Sequence, residues 1–289
     1  MNKRFIIMKQ IRVKIQLFLL RNYLNGLAFF SELKAGQKTG EIIFNPRKGR
    51  LTNENRQTLS EATWETLFLG DVKIQTYRWE GNKGTVLLAH GWESNAARWE
   101  VLVNKLRKNG FSVVALDAPA HGESGSKYFN ALLYAEMIEV AAKRFTPIAM
   151  VGHSAGAFAT AFCAIHYLHP SVKRVVLLAP PSELNQIFNK FLDFVKVSKN
   201  VRRGFYNKLE QRFGKPIEYF SIKELIKPLT IKGLIIHDKT DDICAFSDSE
   251  HIHANWKDST FMPTEGYGHR LQNDYVHSSV SDYLTKELS

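Results

Sequence analysis

The stretch Val151-Gly152-His153-Ser154-Ala155-Gly156, a G-x-S-x-G pattern, constrains this chain more tightly than any other feature. Before it, Pro147-Ile148-Ala149-Met150-Val151 is an apolar run of strand length. After it, residues 155–164 are small, apolar and helix-prone. A strand that turns directly into a helix leaves no room for side chains where the two backbones meet, and Gly152, Ala155 and Gly156 satisfy that demand. Ser154 is therefore expected in strained backbone, its hydroxyl above the sheet edge beside the N–H groups that open the helix. A single turn of this kind arises often by chance, so its meaning depends on the rest of the chain.

The rest of the chain alternates. Residues 71–77 alternate in polarity as a half-buried strand does, and 85–89 are continuously apolar, as in a strand covered on both faces. A helix over about 95–109 closes on Lys105, Arg107, Lys108 and Asn109-Gly110. Strand 111–117, helix 130–145, strand 147–151, helix 155–168 and strand 172–178 follow. Strand 231–236, a helix near 247–256, a short strand at 259–262 and a helix at 270–288 complete the series. This order predicts an α/β fold with a mostly parallel central sheet flanked by helices.

Two segments stand outside the rhythm. Residues 182–227 are basic, Phe-rich and helical in pattern. Residues 3–30 interleave Lys3, Arg4, Lys9, Arg12, Lys14 and Arg21 with Ile, Leu and Phe, which predicts one helix. That helix is expected either to pack on the domain or to lie on a membrane surface. Leu17–Leu20 is far too short an uninterrupted apolar run to span a bilayer, and Lys9, Arg12 and Lys14 break a signal-peptide core. Residues 34–58, with Gly36, Gly40, Pro46 and Gly49, read as a connector, with a short helix after Thr52. The expected segments are thus 1–33, a basic and apolar helix; 34–70, connector and short helix; 71–181 and 228–289, two halves of a core; and 182–227, a helical insertion.

The net charge of +11 is concentrated in these outer segments. Residues 1–50 carry eleven Lys/Arg against Glu32 and Glu41, and 182–227 carry ten against five acids. No nucleic-acid-binding module accompanies them, so no nucleic-acid partner is expected, and basic residues among apolar ones suit an anionic membrane surface. Cys163 and Cys244 have no CxxC spacing, which fits a reducing, cytoplasmic setting, with peripheral membrane contact through 3–30 as a further expectation. Oligomeric state is left open.

A serine nucleophile needs a base to take its proton and a carboxylate to orient the base. After an elbow of this kind, acid and base follow in that order, in loops after later strands. Strand 231–236 runs into His237-Asp238-Lys239-Thr240-Asp241-Asp242, and strand 259–262 leads to Glu265-Gly266-Tyr267-Gly268-His269. Asp238, Asp241 and Asp242 are each candidates for the acid. His90 and His121 are alternative bases. His166 with His169, and His251 with His253, have spacings seen in metal sites but lack the additional Cys, Asp or Glu ligands, so no metal is expected.

Taken together, these motifs resemble those of the α/β-hydrolase superfamily over roughly residues 70–288. His90-Gly91-Trp92 is similar to its HG turn. Asp117-Ala118-Pro119-Ala120-His121-Gly122-Glu123-Ser124 resembles its D-x-x-G-H-G-x-S stretch, with Ala120 in place of the usual glycine. Gly152–Gly156 is the elbow, His237–Asp241 resembles the acid loop, and Gly268-His269 resembles the terminal G-H. The resemblance implies Ser154 as nucleophile, His269 as base and Asp241 as the acid, favoured over its neighbours by motif spacing. It also implies an oxyanion hole from the N–H groups of Trp92 and Ala155. His90, Gly91, Gly152, His153 and Gly156 are implied as supporting residues, and His90 and His121 as loop organisers rather than bases.

The insertion 182–227 falls where the family places a helical cap before the acid loop. Phe188, Phe191 and Phe194 are expected mostly to pack that cap, with a few aromatics lining an apolar pocket rimmed by Arg202 and Arg203. The activity implied is cleavage of a carboxylic ester or thioester of a small or acyl substrate through an acyl-enzyme, without a cofactor. A membrane-surface lipase or lysophospholipase, a carbon–carbon bond hydrolase, a perhydrolase and a non-catalytic binding protein are the alternatives.

Overall fold

The structure, a computed structural model, describes residues 3–288. The parts of the terminal segments that fall on residues 1, 2 and 289 lie outside it, as do the side chains of Lys3, Arg4 and Lys9. Two compact units are present: Asn45–Ser182 together with the chain from Ser221 on, and the chain up to Phe44 together with Glu183–Phe220.

The larger unit is built on an eight-stranded sheet, with β1 (Thr63–Leu69), β2 (Val72–Trp79), β3 (Thr85–Ala89), β4 (Ser112–Leu116), β5 (Ala149–His153), β6 (Arg174–Leu178), β7 (Lys232–Asp238) and β8 (Ser259–Thr264). Their order is β1-β2-β4-β3-β5-β6-β7-β8. β1 and β2 run antiparallel to their neighbours, and β3 to β8 are parallel. The central strands are apolar and buried along almost their whole length because helices cover both faces.

In the smaller unit, α1 (Lys3–Phe30) and α2 (Glu32–Ile43) join α7 (Leu184–Val195) and α8 (Lys199–Phe213). The larger unit holds α3 (Asn53–Thr58), α4 (Glu100–Lys108), α5 (Ala131–Phe145), α6 (Ala155–His166), α9 (Ile222–Leu225), α10 (Phe246–Asn255) and α11 (Asp274–Leu288). Trp99, Leu102 and Leu106 belong with Val280 and Leu284 to one core cluster that includes Val86, Leu88 and Val151 of the sheet. The strand order reverses beside β3, between β4 and β5, where an open α/β sheet forms its crevice.

Two local differences from the sequence reading have physical causes. The connector at 34–58 contains α2, and its glycines serve packing rather than turns. A Cβ on Gly36 would lie 2.1 Å from the Gly204 carbonyl, and one on Gly204 would lie 1.9 Å from the Glu32 carbonyl. Two helices crossing this closely need glycine on both sides, and an ion pair between Arg203 and Glu32 sits at the same crossing. The second difference is β1, which falls within the segment read as connector. It pairs with β2 across a tight turn at Gly70-Asp71, Gly70 having φ +54°, yet Trp64 and Phe68 stay exposed. An edge strand that buries so little carries no clear period in its sequence.

The aromatic residues of the insertion pack among themselves and with α2. Phe188 meets Phe44 and Phe205 edge to face, each at 5.5 Å. Arg202 is hydrogen-bonded to Asn189 and Asp193. Among the described residues no helix is long and apolar enough to cross a membrane.

Candidate active site

β5 ends at His153 and α6 begins at Ala155, leaving Ser154 alone in the bend with φ 54° and ψ −121°. Such a conformation costs of order 1–3 kcal/mol for a residue with a side chain and persists only where its surroundings impose it. Here the Ser154 N–H donates to the Leu178 carbonyl at 2.8 Å, and the Ser154 carbonyl accepts from Phe158 N–H at 3.0 Å. A Cβ on Gly152 would come within 2.5 Å of the Gly156 carbonyl oxygen, and one on Gly156 within 2.3 Å of the Ala89 carbonyl oxygen. The glycines of the pattern are thus required by contact, with α6 pressed against the end of β3.

The loops after β7 and β8 deliver two further groups to this bend. The Ser154 hydroxyl lies 2.9 Å from His269 Nε2, and His269 Nδ1 lies 2.7 Å from Asp241 Oδ2. His237 Nε2 reaches the same Asp241 oxygen at 3.0 Å, while Oδ1 accepts the backbone N–H groups of Ile243 and Cys244 at 2.8 and 2.9 Å. The Asp241 side chain is fully buried, which pushes its pKa up. The hydrogen bonds from His237, His269 and Cys244 outweigh that and hold it well below the usual carboxylate range. An ionised Asp241 must receive N–H groups, so His269 donates from Nδ1 and its Nε2 is left to accept the serine proton. His237, donating from Nε2, accepts the Ser249 hydroxyl at Nδ1, 2.6 Å away.

The other carboxylates have different tasks. Asp238 accepts from Thr240, Thr264, Gly266 and Tyr267, which ties the loop carrying Asp241 to the loop carrying His269. Asp242 is exposed.

His90 and His121 lie apart from the Ser154–His269 pair. His90 Nδ1 donates to the Gly91 carbonyl at 2.7 Å and Nε2 accepts Ala118 N–H at 2.9 Å. His121 Nδ1 donates to the Pro119 carbonyl at 2.8 Å and Nε2 accepts Glu93 N–H at 2.9 Å. Burial depresses the pKa of His90 to about 3 and of His121 to about 4, so both are neutral struts.

His153, which follows Gly152 in the pattern, is buried against His269. Its Nε2 donates to the His269 carbonyl at 2.8 Å, the two rings stand 5.1 Å apart, and desolvation holds it neutral. Gly91 brings the loop after β3 onto the bend, for a Cβ there would meet His153 Nδ1 at 2.9 Å and Ser154 Cβ at 3.0 Å. Trp92 follows it, packed edge to face on His121 and Phe129. Ala155 opens α6, where first-turn N–H groups have no acceptor within the helix. The Asp117 carboxylate, buried and pushed up in pKa by burial, receives Ala96 N–H, Glu123 N–H and the Tyr77 hydroxyl. Ala120 stands at φ +64° in that turn, the left-handed region where glycine is free of strain.

A cavity of about 490 Å³ adjoins Ser154 and His269. Its walls include Trp92 and Ile243, and also Lys48, Arg98 and Arg270. Arg98 donates to the Arg270 carbonyl at 2.9 Å and lies over the Trp99 ring, while its Nη1 is buried with no hydrogen-bond partner.

Sequence reasoning gave no role to His237 or Arg98. A histidine ending an apolar strand four residues before Asp241 was the available signal for His237; nothing in the sequence marked Arg98. The paired histidines have other contacts: His169 with Ser171, His253 with Ser259, and His166 tilted against the Phe162 ring at 4.3 Å. Among the described residues no cluster of His, Cys, Asp or Glu is able to hold a metal.

A family model described as alpha/beta hydrolase fold matches residues 84–230, just over half of the chain. Solved structures with the same fold include an esterase from Pyrococcus furiosus, 19% identical, TM-score 0.66, covering 84% of this chain and 98% of that one. An esterase from Exiguobacterium antarcticum is 17% identical, TM-score 0.60, covering 78% and 99%. The thioesterase domain from the curacin biosynthetic pathway is 18% identical, TM-score 0.57, covering 77% and 98%. Comparison with curated proteins finds no match.

Proposed function

The chain belongs to the alpha/beta hydrolase fold family, and from that premise we propose that it is a serine hydrolase cleaving a carboxylic ester or thioester through an acyl-enzyme. The observation that carries the reading is the continuous relay from Ser154 through His269 to Asp241, at 2.9 and 2.7 Å, on a strained turn. In the first half-reaction Ser154 Oγ bonds to the acyl carbon as its proton passes to His269 Nε2. The carbonyl oxygen becomes an oxyanion facing the N–H groups of Ala155 and Trp92, each worth about 3 kcal/mol to the transition state. The imidazolium then gives the proton to the departing alkoxide or thiolate. Water repeats the sequence on the acyl-serine, losing its proton to His269 and releasing the acid. Asp241 stays ionised throughout and fixes the imidazole tautomer, with His237 holding the carboxylate in place.

Lys48, Arg98 and Arg270 in the cavity wall favour an ester that carries a negative charge away from the scissile bond. Glu93 also lines the cavity, its carboxylate accepting Arg47 N–H at 2.9 Å, and the three cations outnumber its single charge. Turnover of p-nitrophenyl esters of increasing chain length tests the reaction class. Ser154→Ala should lower kcat by a factor on the order of 10⁶, as for triads that act as a unit. Equal turnover by wild type and variant would remove the proposal. Among hydrolysed esters, a monoester of a dicarboxylic acid should have a higher kcat/KM than its neutral analogue, and Arg98→Gln should reduce the difference.

A further inference from the structure

The first helix carries two apolar stripes on opposite sides. Leu20, Leu24, Leu27 and Ala28 face inward and pack with Ala35 and Val201 in the smaller unit. Met8, Ile11, Ile15, Phe18 and Leu19, spaced by three and four residues, lie on the other side and are 51–60% exposed. Two opposed stripes explain why the polar residues of this segment share no single face.

Charge surrounds the exposed stripe. Residues 1–31 contain six Lys/Arg and no acid. On the helical period, Arg12 borders the stripe beside Leu19, and Lys14 and Arg21 border it beside Phe18, with the Arg21 guanidinium 5.5 Å above the Phe18 ring. Long cationic side chains on both borders of an apolar strip are suited to reach lipid phosphates while the strip enters the acyl boundary. A second copy of the same helix would bring cations against cations.

We propose that the outward stripe of α1 docks this protein on the surface of an anionic lipid membrane, the helix lying in the interface without crossing it. The proposal does not rest on the hydrolase reading, since it concerns a helix that contributes nothing to the Ser154–His269–Asp241 relay.

The test is co-sedimentation of the full chain with phosphatidylcholine vesicles and with vesicles containing about one-third phosphatidylglycerol. Three cations at the surface should tighten binding to the anionic vesicles by roughly a hundredfold over the neutral ones, and salt should weaken it. Ile15→Glu with Phe18→Glu alters only exposed positions. It should abolish binding while leaving the melting temperature and turnover of a soluble ester unchanged. Arg12→Gln with Lys14→Gln and Arg21→Gln should erase the preference for anionic lipid. Absence of binding, equal binding to both vesicle types, or unchanged binding by the Glu variant would overturn the proposal. So would a lipid-free dimer that the Glu variant converts to monomer, which would give the stripe to a second copy.

Discussion

Acidification from pH 7.5 to 5.5 should destabilise this protein well before its carboxylates titrate. His90 and His121 are buried, and each accepts a backbone N–H at Nε2, from Ala118 and from Glu93. A proton on either ring would set donor against donor and place a charge in the interior, so the folded pKa values fall to about 3 and about 4. In the unfolded chain each titrates near 6.5. Between those limits the unfolded state binds the extra proton, so stability is full above the unfolded value and lost as pH falls below it.

At pH 5.5, one unit below the unfolded value, each ring costs about 1.4 kcal/mol, or about 3 kcal/mol for the pair. His277, lowered to about 4, and His153, held well below its ordinary value by burial, act in the same direction. Asp117, raised by burial, works against them. Asp238 and Asp241 are depressed, so their contribution is lost only at lower pH, as it falls through the unfolded carboxylate range. Urea unfolding followed by tryptophan fluorescence at pH 7.5, 6.5 and 5.5 measures the slope. His121→Gln, whose amide oxygen can still accept Glu93 N–H, should lower that slope by one ring's share. A level midpoint across the window, or an unchanged slope in the variant, would refute the reasoning.

Three further outcomes are expected. Ala120→Gly should relieve a left-handed alanine and stabilise the fold by about 1 kcal/mol, a rise of roughly 2–4 °C in Tm by calorimetry. Gly36→Val should force α2 off α8 and cost about 1–3 kcal/mol or more in urea unfolding, because the new side chain would meet the Gly204 backbone. Asp241→Asn should lower kcat on a p-nitrophenyl ester by about 10⁴ through the wrong imidazole tautomer, while His237→Leu should lower it less and shift its pH profile.

The parts of this molecule written in the sequence are those whose demands are local. The bend at Ser154 needs small residues in contiguous positions, and the loop carrying Asp241 follows the apolar run of β7, which only a buried strand requires. Where one residue type answers two needs, the sequence misleads. Gly36 reads as a turn, but glycine also serves a close helix crossing, and that crossing exists only once Gly204 arrives from across the chain. β1 escaped because an edge strand is held by pairing more than by burial. Arg98 takes its place through burial and a partner, Arg270, far away in sequence, which spacing does not encode.

On the hydrolase reading, Ser154 is an activated nucleophile. Labelling of the folded protein with a fluorophosphonate, read by mass spectrometry of the peptide containing Ser154, measures this directly. Stoichiometric modification of Ser154 in the wild type, and none in Ser154→Ala, is the predicted result. A folded wild type that takes no label, or takes it on another residue, would contradict the claim.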